Sequence, residues 1–98
     1  MPQYPLVPAP GGTATTLDIA AATVIKSSPG RVFTVSVFSL GSAVGAIYDS
    51  ASTSGNTVAN QLAVIPEAVG TYSFNAMPTA TGIVVVPPTT STISVSWS

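Results

Sequence analysis

Cysteine and histidine are both missing from this chain of 98 residues, and charge is nearly so. Without Cys there is no disulfide, no thiolate-bound zinc and no thiol nucleophile. Without His the commonest general base and the commonest transition-metal ligand are gone. Two cations, Lys26 and Arg31, stand against three carboxylates, Asp18, Asp49 and Glu67. Charged residues make up 5% of the chain, against about 25% in a typical soluble protein. A nucleic-acid backbone needs one Lys or Arg per phosphate contact, so two cations at net charge −1 exclude that class of partner. Long apolar runs are lacking too. The longest β-branched run, Ile83-Val84-Val85-Val86, stops at Pro87-Pro88, whereas a spanning helix needs about 20 apolar residues. No membrane partner is expected. The start, Met1-Pro2-Gln3-Tyr4-Pro5, has neither the basic region nor the apolar stretch of a secretory signal. The expectation is a cytosolically made, unprocessed protein.

What is present points to a folded β domain. Hydrophobic residues account for 46%, mean hydropathy is +0.55, and 26 residues are Ser or Thr. Disordered chains combine low hydrophobicity with high net charge, the opposite of this composition. The length allows one domain. Folding a chain of this size loses on the order of 100–200 kcal/mol of conformational entropy and nets about 5–15. A small domain buries only part of its surface, and no disulfide or His/Cys metal site assists. The surface, moreover, has too little charge to repel other copies. These terms together predict assembly with partners.

Residues 1–13 read as an extended arm. Pro2, Pro5, Pro8 and Pro10 remove amide donors at short intervals, which favours polyproline II, and Gly11-Gly12 ends the run. Tyr4, Leu6 and Val7 are the arm's apolar residues. Docking on a neighbouring subunit would bury them, as would packing on the arm's own domain. Intersubunit docking is the expectation.

Residues 14–98 read as one β-sandwich domain. Strand patterns cover Thr23–Ile25, Arg31–Ser39, Ala43–Asp49, Leu62–Ile65, Thr71–Met77, Ile83–Val86 and Thr92–Trp97. Ser28-Pro29-Gly30-Arg31 fits a type II turn, suggesting a hairpin or sharp connection. Alternation puts Phe33, Val35 and Val37 on one face and Val32, Thr34, Ser36 and Phe38 on the other. Leu17–Ala22 is the only helical candidate and is short. Seven or eight strands at about 8–12 residue spacing indicate an all-β, antiparallel two-sheet sandwich, with jelly-roll order among the admissible connectivities. Pro66, Pro78, Pro87 and Pro88 are placed to block edge pairing, above all of Ile83–Val86. That strand is expected to be buried on both faces.

Chemistry finds little to work with. Asp49 and Glu67 end neighbouring strands and are the one candidate carboxylate pair for glycoside hydrolysis, but no aromatics surround them. Asp49, Ser50, Ser52 and Asn56 offer oxygens without the dense carboxylates of a calcium loop. No catalytic, cofactor or metal residue is assigned, and the chain is not read as an enzyme. Phe33, Tyr72, Phe74 and Trp97 read as core. Phe38 reads as a second-layer or interface aromatic. Lys26 and Arg31, flanking Pro29-Gly30, suit an acidic partner surface or a solvated turn. The candidate interface is therefore Tyr4, Leu6, Val7, Phe38, Lys26 and Arg31.

Several segments carry a family likeness. They are Val24-Ile25-Lys26, Pro29-Gly30-Arg31-Val32, Ala46-Ile47-Tyr48-Asp49, Ala63-Val64-Ile65-Pro66, Gly82-Ile83-Val84-Val85-Val86-Pro87 and the alternating Ser/Val C-terminal strand. Over residues 23–98 the chain resembles small β-sandwich virion proteins of tailed bacteriophages, and among these the capsid decoration (cement) proteins. The resemblance implies a homotrimer on the outer capsid surface of the virion. It would be made in the host cytoplasm and bridge major capsid protein subunits against the pressure of packaged DNA. Two alternatives remain at this point: a monomeric binding module for a glycan or cell surface, and a head or tail fibre component.

Overall fold

The computed structural model describes residues 14–98. Eight strands occur in chain order: β1 (Ala14–Ile19), β2 (Thr23–Lys26), β3 (Arg31–Val37), β4 (Gly45–Tyr48), β5 (Gln61–Ile65), β6 (Gly70–Pro78), β7 (Ile83–Val86) and β8 (Ile93–Trp97). They form two four-stranded antiparallel sheets, β1-β8-β3-β6 and β2-β7-β4-β5. The pairing is nested: β1 with β8, β2 with β7, β3 with β6 and β4 with β5. A long antiparallel ribbon rolled up on itself gives this order, and it is the jelly roll. The arm of residues 1–13 lies outside the described residues.

The core lies between the sheets and is aliphatic. Ile19, Val32, Val35, Val37, Ile93 and Val95 enter it from one sheet, and Ile47, Ile65, Ile83 and Val85 from the other. β-branched residues at alternate positions fit the pleated surface and fill the space between sheets, roughly 10 Å thick. Tyr72, Phe74 and Trp97 are partly buried and pack against this cluster.

Several expectations need correction. Phe33 is half-buried and outside the core, while Val32 is fully buried within it. A bulge between Val32 and Thr34 shifts the β3 register, so strict alternation across Phe33 fails. Leu17–Ile19 belongs to β1, and Ala20–Ala22 is the link from one sheet to the other. β2 and β3 lie in different sheets, so Ser27–Gly30 is a sheet-crossing corner and not a hairpin. Gly30 has no positive φ, which a type II turn requires. A side chain there would collide with the Ser98 carbonyl and Lys26. Finally, β7 is an interior strand between β2 and β4. Its edges are already paired, and Pro87-Pro88 has no edge to guard there.

The nested order sorts the loops. Connections β1–β2, β3–β4, β5–β6 and β7–β8 gather at one end of the sandwich. Connections β2–β3, β4–β5 and β6–β7, together with Ala14 and Ser98, gather at the other.

Candidate interaction surfaces

The end carrying β2–β3 holds both cations. Lys26 lies 6.0 Å above the Trp97 ring centroid, within reach of cation–π attraction. The Trp97 Nε1–H donates to Thr16 Oγ1 at 2.9 Å, which fixes the ring. Arg31 donates from Nη1 to the Ala76 carbonyl at 3.1 Å. Lys26 and Arg31 share a shallow groove of about 380 Å³ with Pro29, Gly30, Pro78 and Thr79. The Lys26/Arg31 pair expected from the sequence is thus brought together.

Asp49 sits at this same end with a structural role. Its Oδ1 accepts from the amides of Thr81 at 2.7 Å, Ala80 at 3.1 Å and Gly82 at 3.2 Å, and Oδ2 from Ala80 at 3.0 Å. Partial burial pulls its pKa up, but the backbone donors of Thr81, Ala80 and Gly82 outweigh it and hold the carboxyl below its ordinary value. The carboxylate closes the β6–β7 turn. Glu67 lies at the opposite end, where its carbonyl accepts from Gly41 N at 2.8 Å. β4 and β5 are antiparallel neighbours, so residues that follow each of them leave at opposite ends. The two carboxylates do not flank a common cleft.

The Ser/Asn loop between β4 and β5 satisfies itself. Ser50 Oγ donates to the Ser52 carbonyl, Asn56 Nδ2 donates to the same carbonyl, and Asn60 Nδ2 donates to Asn56 Oδ1. Thr57 and Asn60 cap a single 3-10 turn, Val58–Asn60, reciprocally. The oxygens considered for calcium are spent on this local network and on the β6–β7 turn.

The other end of the sandwich is apolar. Phe38, Leu40 and Val44 on the β3–β4 loop, and Val69 on the β5–β6 loop, are each more than half exposed. These loops are held in place by hydrogen bonds. Gly41 N donates to the Glu67 carbonyl, Ser42 N to Thr89, Thr89 N to Ala43 and Phe38 N to Thr92. Ser91 Oγ donates to the Ser39 carbonyl at 2.7 Å, and Thr92 N to Ser39 Oγ at 3.2 Å. Phe38 therefore stands at the opposite end from Lys26 and Arg31. Tyr4, Leu6 and Val7 lie outside the described residues.

Compared with known proteins, the chain matches no family, and no characterised protein or solved structure is recognisably similar to it. The surfaces must speak for themselves.

The two outer sheet faces differ in chemistry. On β1-β8-β3-β6, the register aligns Thr15, Ser96, Thr34 and Ser73 in one row and Ser94, Ser36 and Thr71 in the next. Thr15 and Ser96 hydroxyls are 3.2 Å apart, and those of Ser36 and Thr71 are 3.1 Å apart. On β2-β7-β4-β5, the rows are Val24, Val84, Tyr48 and Val86, Ala46, Val64. That aliphatic face was not anticipated from the sequence beyond β7 itself. Its one local signal was the uninterrupted Ile83–Val86 run, in which both parities are apolar.

Proposed function

We propose that this chain is a structural virion protein that decorates a bacteriophage capsid, bridging major capsid protein subunits as a homotrimer and stabilising the shell. The observation that carries this reading is the apolar end. Four large side chains, Phe38, Leu40, Val44 and Val69, stand in solvent on loops fixed by backbone hydrogen bonds. They expose on the order of 400–500 Å² of apolar surface, the size of the largest patch on a typical monomer, which is often functional. Ordered loops lose little entropy on docking, which favours affinity. Both cations lie at the far end, so nothing here draws the patch to a phosphate-bearing surface. A neutral, apolar protein surface suits it.

Fold-level analogy adds a weaker argument. Jelly rolls build viral capsid domains, but they also build lectins and cupins, so the fold alone assigns no role. The reading adds that each small module binds weakly and that a trimer gains by multivalency. It also treats the chain as non-enzymatic, since Asp49 is committed to a turn and Glu67 is remote from it. The site of action would be the outer capsid surface.

The test is co-sedimentation with purified tailed-phage capsid shells lacking decoration protein. The full chain is expected to saturate the shells and raise the temperature at which they rupture. The double variant Phe38→Ser, Leu40→Ser should bind at least tenfold more weakly with its own unfolding unchanged. A full chain that stays in the supernatant at every concentration would overturn the proposal.

A further inference from the structure

Asp18 is the outlier among the chain's carboxylates. It is exposed, whereas Asp49 and Glu67 are half-buried. Its φ is 56°, in the left-handed region that few residues besides Gly, Asn and Asp adopt. It sits where the β1–β8 register shifts between Thr16 and Ile19, on an edge strand. Such irregularities re-aim side chains and interrupt strand pairing. Leu17 beside it is 69% exposed. Among the described residues it is the one exposed large apolar side chain on the strands of its sheet. Leu17 and Asp18 together make a knob on the free edge of β1, half apolar and half anionic.

The groove at the β2–β3 end has the complementary content. Pro29 and Pro78 give it apolar walls, and Lys26 and Arg31 bring both of the chain's cations to it. Among the described residues Lys26 lies over the Trp97 ring, Arg31 donates to the Ala76 carbonyl, and neither is paired with a carboxylate side chain. The backbone donors here are spent. Gly30 N donates to Thr79 Oγ1 at 3.0 Å, Thr79 N to the Gly30 carbonyl at 2.8 Å, and Arg31 N to the Ser98 carbonyl at 3.0 Å. What remains is the Lys26 ammonium and the rest of the Arg31 guanidinium, donors that match an acceptor-only carboxylate.

We infer that these two features meet between copies of the chain: the Lys26/Arg31 groove of one copy receives Leu17 and Asp18 of the next. A copy cannot fill its own groove this way. β1 starts at the groove end, where Ala14 pairs with Trp97, and runs away from it. Asp18 stands four residues on, about 13 Å along the strand. The match of charge singles out Asp18 as the donor's partner. Of the three carboxylates, Asp49 is committed to the β6–β7 turn and Glu67 is half-buried at the apolar end. An exposed ion pair alone contributes little, so Leu17 against Pro29 and Pro78 is the second half of the contact.

The inference deepens the reading above and rests on its homotrimer. A two-fold contact joins one patch to itself, whereas a closed ring of three joins two different patches of each chain. A knob and a groove at separate places on one chain supply that pair. The contact leaves the apolar loop end clear for a larger partner, and its three copies in a ring act together.

Sedimentation equilibrium over a dilution series tests this contact. Asp18→Asn removes the charge and keeps a residue at ease in left-handed backbone. Leu17→Ser removes the apolar half of the knob, and Arg31→Asp reverses the charge of the groove. Each should raise the concentration of half-dissociation at least tenfold while the far-ultraviolet circular dichroism stays native. Asp18→Arg with Arg31→Asp in one chain exchanges the two charges and should recover association that either reversal alone abolishes. Association no stronger in the exchanged chain than in the single reversals would overturn the pairing. Should Arg31→Asp fail to fold, the exposed Asp18→Asn decides alone. A native oligomer whose half-dissociation is unmoved by Asp18→Asn would overturn this inference and leave the homotrimer standing. A native chain that is a monomer at every concentration would overturn both.

Discussion

The two outer faces of this sandwich are built on the same geometry and finished in different ways. On β1-β8-β3-β6 the aligned outward rows are Ser and Thr, with Leu17 exposed on the edge strand, and hydroxyls pair across strands at 3.1 and 3.2 Å. Such a face is complete against water. On β2-β7-β4-β5 the outward positions are Val, Ala and Tyr, and the central Val84 is already out of solvent. Its centre is dry, and only Val24 and Val64 at its margins are exposed. The difference teaches that strand parity alone does not divide a sandwich into inside and outside. One sheet has a single apolar face and the other has two, so the molecule has a second, smaller apolar site beyond its core.

The largest expected effect comes from placing the same charge on each face. Val84→Asp buries a carboxylate without a partner and should destabilise by about 3–5 kcal/mol, enough to abolish folding in a small domain. Ser36→Asp, on the hydroxyl face, should change stability by roughly 0.5 kcal/mol or less, as surface substitutions do. Urea unfolding of the two variants measures the contrast directly. Equal losses would erase the distinction between the faces.

A gentler exchange sharpens it. Val84→Thr keeps the shape and adds one hydroxyl, giving the aliphatic face the chemistry of its counterpart. The buried hydroxyl should cost about 1–3 kcal/mol. Ser96→Ala removes a hydroxyl from the solvated face and should fall within about 0.5 kcal/mol of the native chain. Thermal melts of both variants resolve this difference.

The two ends of the molecule offer a smaller contrast. Asp49 accepts from three successive amides, and its pKa is lowered, so the folded state binds its proton less readily than the unfolded state. Its contribution is therefore full at neutral pH and fades as pH falls below about 4, through the folded value. Asp49→Asn should lose about 0.5–1 kcal/mol at pH 7, the solvent-screened share of those bonds. It should also flatten the acid limb of the stability profile. Stability measured from pH 2 to pH 7 checks both.

Most of the strand inventory was legible because each strand announces itself locally. β8 alternates Ile93, Val95 and Trp97 against Ser94 and Ser96, and Gly or Pro punctuates most of the connections. The sandwich class followed from strand number and spacing. Strand order did not, because it depends on which strands meet across the sheets. The misreading of Phe33 came from a bulge, which inserts a residue that no periodic pattern signals. β6 carries a similar irregularity, with Asn75 and Ala76 both at positive φ in the middle of an alternating run. Ala76 has no side chain that eases this conformation, so Ala76→Gly should stabilise by about 1 kcal/mol, read from thermal melts.

The candidate surface was legible only in part. Lys26 and Arg31 were read together because they flank one short corner, and the structure joins them at one groove. Phe38 was grouped with them, and it lies at the other end because β3 runs the length of the sandwich between Arg31 and Phe38. Leu40, Val44 and Val69 were missed because isolated apolar residues in loops carry no periodic signal. Only the β3–β4 and β5–β6 loops meeting at one end makes a surface of them. Composition gives a coarser signal: 5% charged residues is far below the roughly 25–35% usual on soluble surfaces.

The central claim is the proposed role, a homotrimer that decorates a capsid. Light scattering on a sizing column gives the absolute mass of the native species, and a dilution series asks whether that mass persists. The account predicts a homo-oligomer at three times the 9.8 kDa chain mass, unchanged as concentration falls to the micromolar range. A monomer at every concentration would contradict it.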